Sequence, residues 1–353
     1  MYDYLIVGFG LGGMHFANYL LEENKKFVVF DDQSQKASKV AGGLCNPIAL
    51  NKFSLIPNGD RNLQLAVQTY KSLEQKLGIE MFSDMPIHQK FDSEEQRNKW
   101  FSASQKTELK SFLNPKLIPF HAQIKSKYEF GEVMQSYLVR LPELMHSFKE
   151  YLQRKKCYSP LRFDHLALKI EKDCVIYKNF RARNIIFCEG FGLKQNPFFN
   201  YLPLAGNKGE YIIIHSTGLK LKKTIKSSYF LIPLGNDCYK FGATYDREFR
   251  HSKPTEMAKN KLTTALENLI DCPYTLLDHI AGIRPTTSDH SAFVGPHPKF
   301  SNVYVCNGFG SRGILTAPGI VQQLIDFIQN KKPLSSEIDV ARFQKKYIEP
   351  DKL

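Results

Sequence analysis

The seven cysteines are scattered, odd in number and never spaced CxxC. That excludes a disulfide framework or a zinc site as the organising device and points to a reducing cytosol. No apolar run approaches the ~18 residues of a membrane span, so no membrane partner is expected. No basic segment precedes the apolar stretch that starts at Tyr4, so no secretory signal is expected. There is no GxSxG, and the ten histidines show no metal-ligand spacing. Neither a nucleophilic triad nor a metal is therefore expected. Internal repeats and low-complexity segments are absent, and there is one tryptophan, Trp100. Acidic residues run short: 35 Asp and Glu face 48 Lys and Arg, a formal charge of +13. Such a surplus suits a nucleic acid, an anionic membrane or an anionic ligand.

What is present allows a large core. Of 353 residues, 42% are hydrophobic and 12% aromatic, enough for two domains or one large α/β unit. The first thirty-two residues are the most informative. Tyr4–Val7 is a short apolar run that leads into Gly8-Phe9-Gly10-Leu11-Gly12-Gly13. Phe16, Ala17, Leu20 and Leu21 then share a helical face, and Phe27–Phe30 reads as a second buried strand ending at Asp31-Asp32. Gly8, Gly10 and Gly13 fit GxGxxG. The first glycine makes the tight turn, the second admits a pyrophosphate, and the third lets helix and strand pack closely. The helix start offers N–H groups and a positive dipole end to phosphates. Asp31 lies 23 positions after Gly8, near the ~20 expected of an acid that binds a ribose hydroxyl. This motif predicts a dinucleotide and does not separate NAD from FAD.

Further along, Ala41-Gly42-Gly43-Leu44-Cys45-Asn46-Pro47 marks an irregular loop, either a close approach to a ligand or an ordinary turn. Helical spacing covers 62–77, 138–152, 254–270 and 314–328. Asn184–Cys188 reads as a buried strand before the glycine turn Gly190-Phe191-Gly192, and 201–250 reads as β-rich. Val303–Cys306 is a strand that leads into Asn307-Gly308-Phe309-Gly310-Ser311-Arg312-Gly313 and the last helix.

In this order the pieces resemble the FAD-dependent family that contains D-amino acid oxidase, glycine oxidase and sarcosine oxidase. The resemblance spans nearly the whole chain and is strongest at 4–47, 184–192, 239–246 and 281–320. Its most specific part is Gly282-Ile283-Arg284-Pro285, Asp289, Gly295-Pro296 and Gly308 to Pro318. Within that family, Gly310-Ser311-Arg312-Gly313 with Ala317-Pro318 is most similar to the oxidoreductase domain of the bifunctional enzyme that matures the tRNA wobble uridine. Glycine oxidase would carry its arginine one place earlier, at Ser311. The resemblance implies a D-amino acid oxidase-like α/β architecture. A Rossmann-like FAD-binding domain would come from 1–80, 141–195 and 281–353. An antiparallel-sheet substrate domain would come from 81–140 and 196–280.

The same resemblance implies roles. Gly8, Gly10, Gly13 and Asp31 would hold the ADP half of FAD. Ser38, Gly42 and Gly43 would run along its pyrophosphate and ring. Gly190 would make a second backbone approach, and Gly310, Ser311 and Gly313 would sit beside the ring. Arg284 would fork onto a substrate carboxylate, unless it is a structural arginine paired with a carboxylate such as Asp289. Arg312 stands between substrate and cofactor. Tyr229 and Tyr245 would wall the substrate side, although tyrosines in a sheet more often just pack. Lys208 reads more readily as a surface turn, and Cys45 as a small buried residue. The implied chemistry is oxidation of the C–N bond of an amino acid or secondary amine, by hydride transfer to flavin and hydrolysis of the imine. The alternative is a tRNA-borne carboxymethylaminomethyl side chain, since a loop base can be splayed into a pocket. The stretch 149–195, with 11 basic against 5 acidic residues, is then the expected polyanion-facing segment.

Overall fold

The structure is a computed structural model that describes residues 1–347. The chain folds into two compact units. The first comprises 1–39, 141–207 and the chain from 283 onward, and the second comprises 40–140 and 208–282.

The first unit is built on eight strands: β1 (Tyr2–Val7), β2 (Phe27–Phe30), β3 (Tyr158–Ser159), β4 (Leu168–Ile170), β5 (Val175–Tyr177), β6 (Phe180–Phe187), β7 (Phe293–Pro296) and β8 (Val303–Asn307). Strands β3, β2, β1 and β6 lie side by side and parallel. The C-terminal half of β6 pairs in parallel with β8, and its N-terminal end pairs antiparallel with β5. Helices α1 (Leu11–Glu22), α2 (Leu141–Arg154) and α3 (Gly313–Asn330) complete the unit. The central strands are continuous apolar runs because helices cover the sheet. Leu5, Ile6, Ile185, Ile186 and Phe187 are fully buried.

The second unit holds a seven-stranded sheet. Its order is Thr275–Thr287, Leu204–His215, Cys238–Gly242, Phe230–Gly235, Thr224–Lys226, Ile87–Gln89 and Gly131–Val133. Most of its ladders are antiparallel, but Thr224–Lys226 runs parallel to Ile87–Gln89. The expected β-rich stretch 201–250 is this sheet. Trp100 is wholly buried on the helix Glu94–Ser104 and donates its indole N–H to the Asn114 carbonyl at 3.1 Å.

The chain passes between the units near 40, 141, 208 and 283. Two segments lie on the other side of the division. Residues 40–80 start in the second unit because Leu44-Cys45 pair with Tyr137-Leu138, and the Gly43 carbonyl accepts from Val139 N–H at 2.8 Å. Residues 196–207 stay in the first because Phe199, Leu202 and Leu204 pack into its core. The expected cofactor domain also includes 348–353, which lie outside the described residues. Divided at these borders, the sequence holds 24 basic and 17 acidic residues in the first part, and 24 and 18 in the second. The basic surplus is therefore shared almost evenly.

Candidate active site

The turn from β1 to α1 shows why three glycines stand at that spacing. Gly8 has φ +97°, and a Cβ there would collide with the Cys188 carbonyl. A Cβ on Gly13 would collide with the Gly8 carbonyl, so α1 lies against the turn itself. Gly10 is the N-cap of α1, a position with no side chain to satisfy the helix donors. Ser38 reaches this end from elsewhere: Leu11 N–H donates to its Oγ at 3.2 Å. The helix end thus keeps open donors, and no acid in the first turn repels an anion.

Asp31 closes β2 as expected. Its Oδ1 accepts Phe9 N–H at 3.2 Å, and its Oδ2 accepts the Tyr158 hydroxyl at 3.1 Å. Burial raises the Asp31 carboxyl above its ordinary range, against the lowering effect of these two donors. Burial likewise raises the Tyr158 phenol, and the Asp31 carboxylate adds to the shift. A pocket of about 230 Å³ opens beside this pair, lined by Phe9, Asp31, Lys39, Met145, His146 and Lys149 among others. Tyr158 escaped the sequence reading. Its only sequence signal is its place at the start of a two-residue strand, far from the glycine motif.

The other residues of the first unit expected at the cofactor lie after the ends of β6 and β8. Gly190 has φ +59°, and its carbonyl accepts from Asn307 Nδ2 at 2.8 Å. Gly310 has φ +57°, and its N–H donates to the Pro285 carbonyl at 3.1 Å. The turn at 308–312 is therefore fastened to the residue next to Arg284. Arg312 is the N-cap of α3, and its carbonyl accepts from Thr316 N–H at 3.0 Å. Ser311 and Arg312 are exposed, whereas Gly313 is buried against Leu11 and Phe309. Asp289 is already held by Arg342, whose Nε lies 2.8 Å from Oδ2. The carboxylate that a structural reading assigns to Arg284 thus has another guanidinium.

Gly42, Gly43, Tyr229 and Tyr245 belong to the second unit. A Cβ on Gly42 would fall 2.9 Å from Ile232 Cδ1 and 3.1 Å from the Tyr211 hydroxyl, so the sheet leaves no room there. Tyr229 is partly buried and packs edge-on to Phe241, centroids 5.5 Å apart, against an apolar cluster. Tyr245 is 67% exposed. Cys45 is wholly buried, and burial raises its thiol to about 12, so it is inert rather than nucleophilic. Lys208 corrects the expectation of a surface turn. It is only 1% exposed, in the strand Leu204–His215, because Glu210 two positions on supplies a buried counter-charge at 2.9 Å. Among the described residues no group of three or more His, Cys, Asp or Glu forms a metal cluster. No helix among them is long and apolar enough to cross a membrane.

A parallel sheet with a glycine turn, an open helix N-terminus and a strand-end acid defines a dinucleotide-binding α/β protein. Residues 3–326 match the family model described as "FAD dependent oxidoreductase", and the chain belongs to that family of FAD-dependent oxidoreductases. It is 21% identical to glycine oxidase of Bacillus subtilis over 375 residues, with 98% of each chain covered. It is 28% identical over 210 residues to the tRNA 5-methylaminomethyl-2-thiouridine biosynthesis bifunctional protein of Legionella pneumophila strain Philadelphia 1. That match takes in 49% of this chain and 31% of the relative, so the chain spans about a third of that protein's length. Among solved structures, glycine oxidase from Geobacillus kaustophilus superposes with a TM-score of 0.80 at 17% identity, covering 97% of both chains. Glycine oxidase from Bacillus cereus gives 0.79 at 20%, covering 94% of this chain and 96% of that one. At these identities the structural likeness shows the fold.

Proposed function

We propose that this chain binds FAD and oxidises the C–N bond of a small amino acid or secondary amine. The observation that carries the reading is the bond from Gly310 N–H to the Pro285 carbonyl. It ties the strand bearing Arg284 to the glycine turn at the start of α3. The full-length similarity to glycine oxidase supports the same reading.

The glycine cradle fits an adenine dinucleotide. Gly8, Gly10, Gly13 and Ser38 would take the pyrophosphate, and Asp31 with Tyr158 the ribose hydroxyls. Gly42, Gly43, Gly190, Gly310, Ser311 and Gly313 would line the rest. When bound, FAD supplies a hydride acceptor for the carbon next to the amine. Arg284 binds the substrate carboxylate through two parallel hydrogen bonds and so fixes which C–H is presented. The neutral amine holds its lone pair ready to stabilise the electron-poor carbon, and water hydrolyses the imine released. Arg312 serves either substrate or cofactor. Tyr245 forms an edge of the substrate side. The first unit acts as the cofactor domain and the second as the substrate domain.

A second reading rests on the Legionella relatives and on the charge of +13. In it the amine is a carboxymethylaminomethyl side chain on a tRNA wobble uridine. One experiment tests both. The purified flavoprotein is mixed anaerobically with glycine, sarcosine, other amino acids and bulk tRNA, and flavin bleaching is followed. Bleaching by a free amine is expected. Bleaching by tRNA alone replaces the first reading with the second, and a protein without a flavin spectrum overturns both.

A further inference from the structure

The second unit buries an ion pair that no step above uses. Lys208 and Glu210 are each 1% exposed, and Lys208 Nζ lies 2.9 Å from Glu210 Oε1. Lys208 Nζ also donates to the Lys253 carbonyl at 3.0 Å. Glu210 accepts Thr255 N–H on Oε2 at 2.8 Å and the Thr255 hydroxyl on Oε1 at 2.9 Å. His279 Nε2 lies 2.9 Å from Glu210 Oε2. All of these partners belong to the second unit.

A pair so deeply buried contributes little net stability, because desolvation offsets the attraction between the charges. Its use is better sought in what it holds. Lys208 N–H donates to the Asp246 carbonyl at 2.8 Å, and Asp246 N–H donates back to the Lys208 carbonyl at 3.0 Å. Two residues along, Thr244 N–H donates to the Glu210 carbonyl at 3.1 Å, and Glu210 N–H donates to Thr244 Oγ1 at 3.0 Å. Tyr245 stands between these two fastenings. Its side chain is 67% exposed, while Thr244 before it is buried. The far end of the same loop, Lys253 to Thr255, is tied down by the Lys208 and Glu210 side chains. A backbone held on both sides of an exposed aromatic fixes the point and direction from which its side chain leaves the chain, so less ordering is left for binding.

We propose that Lys208 and Glu210 are positioning residues, whose buried pair fixes the 244–255 loop and thereby the place from which Tyr245 reaches the substrate. This rests on the reading that Tyr245 edges the substrate side. The two residues act through Tyr245 and have no part in the chemistry.

The test uses the FAD-loaded enzyme and whichever of glycine or sarcosine reduces its flavin. The double variant Lys208→Met/Glu210→Gln removes both charges at similar volume. Its thermal midpoint is expected near that of the unchanged enzyme. Amide exchange at Thr244 and Asp246 should accelerate about tenfold or more, and KM should rise about tenfold with kcat within about twofold. Thr255→Val, which removes one bond to Glu210 and leaves both charges, should show the same two changes at smaller size. Lys208→Arg, which keeps the charge, should stay near the unchanged KM. A lower midpoint with unchanged exchange and KM makes the pair merely structural and overturns the proposal. So does faster exchange with an unchanged KM. Tyr245→Ala separates the two layers. If it leaves KM unchanged, the placement of Tyr245 fails. If it raises KM and the double variant does not, only the positioning role fails. If neither amine reduces the flavin, the amine reading fails and the proposal falls with it.

Discussion

Lys240 Nζ donates to the Ala41 carbonyl at 2.9 Å and lies 4.8 Å from the centre of the Tyr211 ring. The lysine is 6% exposed, and 199 positions separate it from its acceptor. It fastens the Ala41-Gly42-Gly43 turn to the strand Cys238–Gly242. Lys240→Met keeps the stem and removes the donor. It should lower stability by about 1–3 kcal/mol, read from the denaturant midpoint, and shift the visible spectrum of bound flavin. Lys240→Arg should retain most of both.

The glycine turn gives a graded prediction. Gly13→Ala sets a methyl against the Gly8 carbonyl and should destabilise the first unit by about 1–3 kcal/mol, with loss of flavin on gel filtration. Gly10→Ala meets only Ser38 Oγ, 3.3 Å away. It should therefore keep the thermal midpoint of the apoprotein while weakening FAD binding. Equal loss of fold in both variants would remove the argument that Gly10 serves the ligand.

Tyr158 and Asp31 should act as one unit toward the cofactor. Tyr158→Phe deletes the hydroxyl that donates to Asp31 Oδ2 and should weaken FAD about tenfold in a fluorescence titration. Asp31→Ala should weaken it more, and the double variant should add little beyond Asp31→Ala. Additive losses would mean that the two residues serve separate groups.

Arg284→Met should raise KM for a carboxylate-bearing amine by at least about 30-fold, because truncating one partner of a close charge pair costs about 2–5 kcal/mol. Arg284→Lys should recover only part, since an ammonium lacks the fork. Arg312→Met assigns the second arginine. A raised KM places it on the substrate, and a raised FAD dissociation constant places it on the cofactor.

Acid should loosen the first unit through His297 and His15. Burial lowers His297 to about 4, helped by Lys299, and its Nδ1 already accepts Lys299 N–H at 3.1 Å. Burial lowers His15 to about 3. Both folded values lie below the unfolded value of about 6.5, so the unfolded chain takes up protons first. The stabilising contribution is complete above pH ~6.5 and is lost as pH falls through about 4 for His297 and about 3 for His15. The thermal midpoint should therefore drop across that window. His297→Gln should flatten the drop, and an unchanged slope would place the acid sensitivity elsewhere.

The start of the first unit was legible in the sequence because its signals are local. A strand, a glycine turn, a helix and a strand-end acid occupy the first thirty-one residues, and Gly13 answers to the Gly8 carbonyl close by, whereas Gly8 answers to the distant Cys188 carbonyl. The β-rich stretch and the last helix were legible for the same reason, as periodic patterns of 2.0 and 3.6 residues. The contact of the 308–312 turn with the residue next to Arg284 was not legible, because it is made by the Gly310–Pro285 backbone bond between segments 25 positions apart.

Tertiary structure decided the pairings between distant residues. Tyr158 reaches Asp31 across 127 positions, and Lys240 reaches Ala41 across 199. Arg342 holds Asp289 across 53 positions. Lys208 looked like a surface lysine because a sequence displays its charge and conceals its counter-charge's orientation. Only the fold turns Glu210 toward it, brings it the Lys253 carbonyl, and sets Thr255 and His279 against Glu210. By itself the sequence determined the strand, glycine turn, helix and closing acid of the first thirty-one residues, whose pattern lies in neighbouring positions. The folded chain alone decided which charges are buried and what they hold, because burial is a property of contacts made far along the chain.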